Sequence, residues 1–285
     1  MPGVPKNNVL KNNVPRRHVP RIHVVGSSPR SGTTLMFELL VSCFEIDRWG
    51  AHEISLFDRP ETVPERPYAS KQPTDFIHVC RVLRWDPGLH VIYMQRDPRD
   101  VVVSQHGSRP GRYWGDFDIW RRNQDLLPRL AGHQRFFLCR YEDMVRDPDA
   151  VQHRLQQHFG FLQPTHRFSR FDEVSHSSAT AQLALNGVRK ISASSIGKWR
   201  ADLPRLAAQL QAFPDLPDYL VKAGYEPDRA WLAALAGVAP NMAESVRSEF
   251  NLLRGKSWPE KAVLRVLRRL STLRQELRYI AGARR

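Results

Sequence analysis

The chain has 285 residues, enough for one α/β domain of ordinary size with extensions, and its 41% hydrophobic content supports a sizeable core. Its net charge of +14 sits at the ends: residues 1–23 hold five Lys/Arg and no acid, residues 245–285 hold eleven against three Glu, and the segment between them carries only +1, so basicity is no argument for a nucleic-acid-binding core. No uncharged run approaches the ~18–20 apolar residues of a membrane span, no apolar h-region marks a secretory signal, and Cys43, Cys80 and Cys139, lacking metal-ligand spacing, read as buried thiols of a reducing, cytoplasmic compartment.

Residues 1–21 carry a weak five-residue repeat, with Val4, Val9, Val14 and Val19 marking its period. Five fits neither helix nor strand, and Pro2, Pro5, Pro15 and Pro20 block regular pairing, which predicts a mobile basic arm. Ile22–Val25 then reads as a short buried strand, the polar turn from Gly26 to Gly32 follows, and Thr33, Thr34 and the run Leu35–Val41 open a helix. A strand, a Gly/Ser turn and a helix N-terminus together cradle phosphate, because the free N–H groups of the first turn and the helix dipole both face the anion. The turn departs from the nucleotide-binding pattern G-x-x-x-x-G-K-[ST]: five residues separate Gly26 from Gly32, Thr33 stands where lysine would, and the base, Arg30, has moved into the turn.

Beyond this helix lie Trp49, Gly50, Ala51, His52 and Glu53, then a proline-rich loop from Arg59 to Pro73 that includes Lys71, and a predicted helix from about Asp75 to Trp85. His90–Gln95 reads as a buried parallel strand, Arg96–Asp100 as a turn, and Asp100–His106 as the start of a helix. In that arrangement Ser104 lies two turns into the helix and faces back to Arg96, so that a guanidinium and a hydroxyl surround one anion; the alternative pairs Arg96 with Asp97 or Asp100. Phe117–Leu130 suggests a helix, Arg135–Arg140 a third strand, and Asp147–Phe159 a further helix. Tyr141 follows the third strand and fits a core position equally well on local grounds. Arg189–Arg200 is a Ser/Gly segment with flanking bases, read either as a loop over a ligand or as an exposed basic linker, and Leu203–Gly224 is a helical pair.

From Pro259 the tail is helical, with Val263, Val266, Leu270, Leu273, Leu277 and Ile280 forming a seam and Arg265, Arg268, Arg269, Arg274 and Arg278 on other faces. Such a helix packs on its own domain or on a partner subunit as a homodimer contact, or else lies as a basic amphipathic helix on an anionic membrane surface, which would make the protein peripheral at the inner face of a membrane. The divisions are a basic arm over 1–21, a domain over 22–240 and a basic helical tail over 241–285.

Four landmarks in order, Pro29-Arg30-Ser31-Gly32-Thr33-Thr34, Arg96 with Ser104, the Tyr141 segment and Ser194-Ser195-Ile196-Gly197-Lys198-Trp199, resemble the sulfotransferases that use 3′-phosphoadenosine 5′-phosphosulfate (PAPS). The nearest pattern is the Pro-Arg-Ser-Gly-Thr-Thr branch of bacterial carbohydrate and tyrosylprotein sulfotransferases. The resemblance implies an α/β fold, a central parallel sheet flanked by helices and related to P-loop kinases. It implies that Pro29, Arg30, Ser31, Gly32, Thr33 and Thr34 hold the 5′-phosphosulfate, that Arg96 and Ser104 grip the 3′-phosphate, that Tyr141 lies near the nucleotide, and that Arg189, Ser194, Ser195 and Lys198 close over it. Lys71 would stabilise the bridging oxygen, and Glu53, with His52 as runner-up, would be the base, although the branch with a catalytic Glu places it directly after a Gly. Sulfate carries less charge than phosphate and no Walker B pair stands out, so no metal is expected. The acceptor reads as a carbohydrate or glycolipid hydroxyl, the alternatives being a protein tyrosine or a small phenol or alcohol. Readings of another class are a P-loop kinase or NTPase, and a non-catalytic nucleotide-binding module.

Overall fold

The computed structural model describes residues 19–58, 65–247 and 257–283. The repeat-bearing arm through residue 18 lies outside them, as does the first part of the proline-rich loop, 59–64. Five strands form one parallel sheet: β1 (Arg21–Gly26), β2 (Arg48–Glu53), β3 (Tyr68–Lys71), β4 (Leu89–Gln95) and, after a short β5 (Tyr113–Gly115), β6 (Phe136–Arg140), in the order β2-β3-β1-β4-β6. Parallel strands need crossovers, and helices supply most of them: α1 (Thr33–Cys43) between β1 and β2, α2 (Phe76–Trp85) between β3 and β4, and α3 (Pro98–Val102) with α4 (Phe117–Leu126) between β4 and β6, while α5 (Tyr141–Arg146) and α6 (Pro148–His158) follow β6.

Alternation along each strand divides the core into two layers. Ile22, Val24, Ile92 and Met94 face Met36, Leu39 and Leu40 of α1 and Val151 and Leu155 of α6. Val25, Val91 and Tyr93 face Phe76, Val79 and Leu83 of α2 on the other side. Helix, sheet and helix therefore stack as three layers. A third apolar cluster joins Phe117 and Trp120 of α4 to Trp199 and to Leu206, Leu216 and Leu220. Those leucines lie on α9 (Leu203–Ala212) and α10 (Leu216–Lys222), which follow the short α7 (Phe171–Val174) and α8 (Ala179–Leu185).

Three features depart from the sequence reading. The end of the stretch read as a proline-rich loop, with Lys71, forms β3 and pairs in parallel with β1. The helix expected from Asp100 stops at Val102. Asp97 caps it and Pro98 fits its first turn, but the β-branched run Val101–Val103 is a poor helix former, and Ser104 N–H turns back to Val101 O at 3.1 Å. Ser104 therefore sits in a turn after the helix and not two turns within it. In addition, β7 (Ser245–Arg247), past residue 240, pairs in parallel with β5, and Ser245 Oγ accepts from the buried Arg205 at 2.6 Å and donates to Asp116 at 2.6 Å.

The C-terminal helix, Trp258–Ala283, docks on α2 through Glu276 and Tyr279. Glu276 meets His78 Nδ1 at 3.1 Å and Arg81 at 2.6 Å, and Tyr279 Oη accepts from Arg21 at 2.7 Å while donating to Asp86. Arg21 and Asp86 form a buried ion pair at 3.0 Å, so the start of β1, the end of α2 and the C-terminal helix share one polar knot. Removing one partner strands a buried charge. Asp86→Ala is expected to lower the unfolding free energy by ~3–5 kcal/mol in urea titration, whereas Arg229→Ala, whose pair with Asp218 is exposed, leaves the midpoint essentially in place; equal midpoints for the two variants would show that the knot does not hold the corner.

Candidate active site

The carboxyl ends of the parallel strands carry the candidate site, as is general for open α/β sheets. β1 ends at Gly26, where a Cβ would stand 2.3 Å from Ser31 Oγ, so the turn folds tightly back on the strand. Asn123 of α4 holds the turn open at its base by donating to the carbonyls of Gly26 at 3.3 Å and Ser27 at 3.1 Å. Gly32 N-caps α1 at φ +96°, and no side chain caps the helix. The cradle thus keeps its first-turn N–H groups free of side-chain acceptors, and the buried hydroxyls of Ser28 and Ser31 also have no partner among the described residues. Pro29, Ser31 and Thr33 are buried, and Gly32 and Thr34 are partly exposed.

Arg30 occupies the left-handed region at φ 72°, a strained position for a residue with a Cβ. That twist sends its guanidinium toward Ser104, whose Oγ accepts from Nε at 3.3 Å. Arg96, leaving β4, donates to Arg30 O at 2.9 Å and Ser195 O at 2.7 Å and lies 4.3 Å over the Tyr141 ring. Its Nε is buried without a partner. Among the described residues neither guanidinium makes an ion pair. Burial, and then the Arg96 charge, push the Arg30 pKa down from its ordinary value. Two half-buried cations with orphaned donors around them can hold an anion. The alternative pairing of Arg96 with Asp97 or Asp100 does not form: Asp97 pairs with Arg99 at 2.7 Å, and Asp100 accepts from the N–H groups of Gly197 at 2.8 Å and Trp199 at 3.0 Å.

Those two bonds bring the 195–199 segment against the cradle. Ser195 bonds the Tyr141 hydroxyl through its side chain, and the Tyr141 ring packs on Gly32, where a Cβ would fall 2.5 Å from the ring. Ser194 bonds only Ser192, at 3.0 Å; Lys198 is exposed; and Arg189 is exposed and donates to the α8 carbonyls of Leu185 at 3.0 Å and Asn186 at 2.7 Å. The structure therefore gathers Arg30, Gly32, Arg96, Ser104, Tyr141 and Ser195 and leaves Arg189, Ser194 and Lys198 at the rim.

Beside the cradle, Lys71 ends β3 in register with Val24 of β1 and Glu53 of β2. Lys71 is buried, and burial pushes its pKa down against the pull of Glu53 and Glu38. The backbone of His52 belongs to β2, while its side chain lies outside the described residues. Glu38 of α1 is a functional neighbour that pattern reasoning missed. It accepts from Ser177 Oγ at 2.7 Å, and burial pushes its carboxyl pKa up, opposed by Ser177 and Lys71. A lone acid inside an apolar helix run was the available signal. Asp100 and Asn123 were missed as well, and nothing local distinguishes them, since their partners are backbone groups about 100 residues away in sequence.

The fit of Gly32 under Tyr141 is testable. Gly32→Ala adds a Cβ at positive φ against the ring and is expected to cost ~1–3 kcal/mol in chemical denaturation. Arg30→Gly relieves a strained φ and should leave the midpoint level or raise it; an unchanged midpoint for Gly32→Ala would contradict this packing.

Comparison with known proteins finds likeness over part of this chain. A family model described as "Sulfotransferase family" matches residues 47–163, a span that holds Glu53, Lys71, Arg96, Ser104 and Tyr141. Human sulfotransferase 2B1 is 26% identical over 189 residues, or 55% of this chain and 50% of that protein, so the chain spans about half the length of this curated relative. Among solved structures, the sulfotransferase domain of the Synechococcus PCC 7002 olefin synthase is similar at TM-score 0.41 and 20% identity, over 66% of this chain and 90% of that one. Mouse sulfotransferase SULT7A1 complexed with PAP is similar at TM-score 0.43 and 15% identity, over 71% and 85% of the respective chains. The family model's match falls on the strands and turns around the cradle, so over residues 47–163 the chain is similar to the sulfotransferase family.

Proposed function

We propose that the protein transfers a sulfuryl group from PAPS to a hydroxyl acceptor. The observation that carries this reading is the pair Arg30 and Arg96, two adjacent half-buried guanidiniums with no carboxylate partner among the described residues, set beside an uncapped helix N-terminus. A nucleotide with phosphate groups at both its 5′ and 3′ positions answers both halves. The cradle from Pro29 to Thr34 takes the 5′ end through N–H groups and Arg30, and Arg96 with Ser104 takes the 3′-phosphate.

In the transfer, the acceptor oxygen bonds to sulfur as the bond from sulfur to the bridging oxygen breaks, and the electron pair leaves on the 5′-phosphate. Negative charge spreads over the sulfuryl and bridging oxygens, so fixed cations and N–H groups supply most of the stabilisation. Lys71, held at the end of β3, is placed to neutralise the bridging oxygen. Glu53, on the neighbouring edge strand and partly exposed, takes the acceptor proton. Glu53 and Glu38 pull the Lys71 pKa up against burial, which favours its ammonium form.

A carbohydrate or glycolipid hydroxyl is the acceptor class we favour over a tyrosyl peptide or a simple phenol. The strand that carries Glu53 also presents Trp49, which is 50% exposed, and an open indole suits the apolar face of a sugar ring. Trp114, stacked on His106 at 4.0 Å and 5.9 Å from the Arg30 guanidinium, offers a second flat surface at the cradle's mouth.

Calorimetry with 3′-phosphoadenosine 5′-phosphate (PAP) tests the cofactor half of this reading. Arg30→Ala and Arg96→Ala are each expected to weaken binding by at least ~10-fold, the scale of one charge-assisted hydrogen bond; wild-type affinity in both variants would sink the assignment. Glu53→Gln is expected to lower the rate of PAPS-dependent sulfation by ~10²–10⁴ with PAP affinity preserved, and full activity in that variant would shift the base to His52.

A further inference from the structure

The C-terminal helix docks by the face the sequence does not mark for burial. Its apolar seam is turned to solvent: Val263, Leu270 and Leu277 are 56%, 56% and 64% exposed, and Val266, Leu267 and Leu273 are exposed beside them. The body is held instead by Glu276 and Tyr279. At 3.6 residues per turn Tyr279 points roughly 200° away from Leu277, so anchoring and exposure belong to opposite faces. The helix is 26 residues long, and the residues that bond the body lie in its last third.

Charge decides what fits the open seam. Exposed arginines border it on both sides, Arg269 on one and Arg274 with Arg278 on the other. The helix has two acids, and neither is available to a partner along the seam: Glu276 is committed to His78 and Arg81, and Glu260 accepts from Ser257 at the helix start. A second copy of this helix laid against the seam, in either direction, would set arginine against arginine with no acid between them. An anionic bilayer surface matches on both counts. The seam enters the boundary between headgroups and acyl chains while the flanking guanidiniums meet lipid phosphates and carboxylates. No helix among the described residues is long and apolar enough to cross a membrane, which restricts this contact to the surface.

We propose that the C-terminal helix is a membrane-surface anchor that binds anionic lipid through its exposed seam. The anchor is independent of the reading given to the nucleotide site, because none of its residues touches the cradle.

The test is cosedimentation of the full chain with vesicles of phosphatidylcholine alone and of phosphatidylcholine mixed with phosphatidylserine. Binding is expected to the mixed vesicles only and to weaken as salt is raised. The paired substitution Leu270→Asp and Leu277→Asp changes exposed positions, so the fold should persist, checked by an unchanged thermal midpoint and PAP affinity; vesicle binding should fall at least tenfold. Arg274→Glu with Arg278→Glu should do the same through charge. The proposal is overturned if mixed vesicles fail to sediment the wild type, if the leucine variant binds them as wild type does, or if light scattering shows a dimer that the leucine variant dissociates.

Discussion

Two guanidiniums held close together, without a counter-ion among the described residues, are the constraint around which the rest of the site is arranged. Arg30 and Arg96 repel each other, and in a partly buried setting that repulsion is screened less than it would be in water. The fold offsets it with dipoles and a ring face and not with carboxylates: Arg96 is held by the carbonyls of Arg30 and Ser195 and by the face of Tyr141. A carboxylate at the same place would neutralise the pair and fill the site. Carbonyl oxygens orient the cations while leaving their charge for a ligand. The acids nearby are occupied, Asp97 with Arg99 and Asp100 with the backbone of the 197–199 segment.

The parallel sheet makes this concentration of charge possible. Successive strands deliver their carboxyl ends to one edge, so Gly26, Lys71, Gln95 and Glu53 end neighbouring strands and the groups just past them converge. One alternation rule fills the two apolar layers below, and the polar residues collect where the strands stop. The same sheet also separates functions in space. The candidate site belongs to the carboxyl end, while the knot of Arg21, Asp86 and Tyr279 fastens the C-terminal helix at the amino end of β1.

Much of this was legible in the sequence, because its carriers are local. The strand Ile22–Val25 announced itself by unbroken apolarity, the turn by Gly and Ser, and the helix by the run after Thr34. The landmarks Arg96, Tyr141 and Ser195 resembled those of the sulfotransferases, and the structure brings all three to the cradle. What was not legible depended on distant partners. The pattern predicted a helix from Asp100 but neither its capped start at Asp97 and Pro98 nor its stop at Val102, where β-branched residues and the pairing of the following segment take over. Asn123 and Asp100 act on backbone groups that no spacing rule connects to them. The seam of the C-terminal helix was visible as a period, but which face docks depended on His78, Arg81, Arg21 and Asp86, scattered over the first third of the chain. The polar contacts of Glu276 and Tyr279, and not the apolar stripe, hold the docked face, the reverse of what periodicity alone favours.

The central claim is that the site recognises phosphate charge through unpaired arginines, and thermal unfolding with PAP and with adenosine tests it most directly. With PAP at about 100 times its dissociation constant, linkage predicts ~2.7 kcal/mol of stabilisation, or a rise in midpoint of roughly 5–10 °C for a domain of this size. Adenosine, which has the same base and sugar but no phosphate, should leave the midpoint essentially unmoved at the same concentration. Equal shifts for the two ligands, or no shift with PAP, would contradict the account.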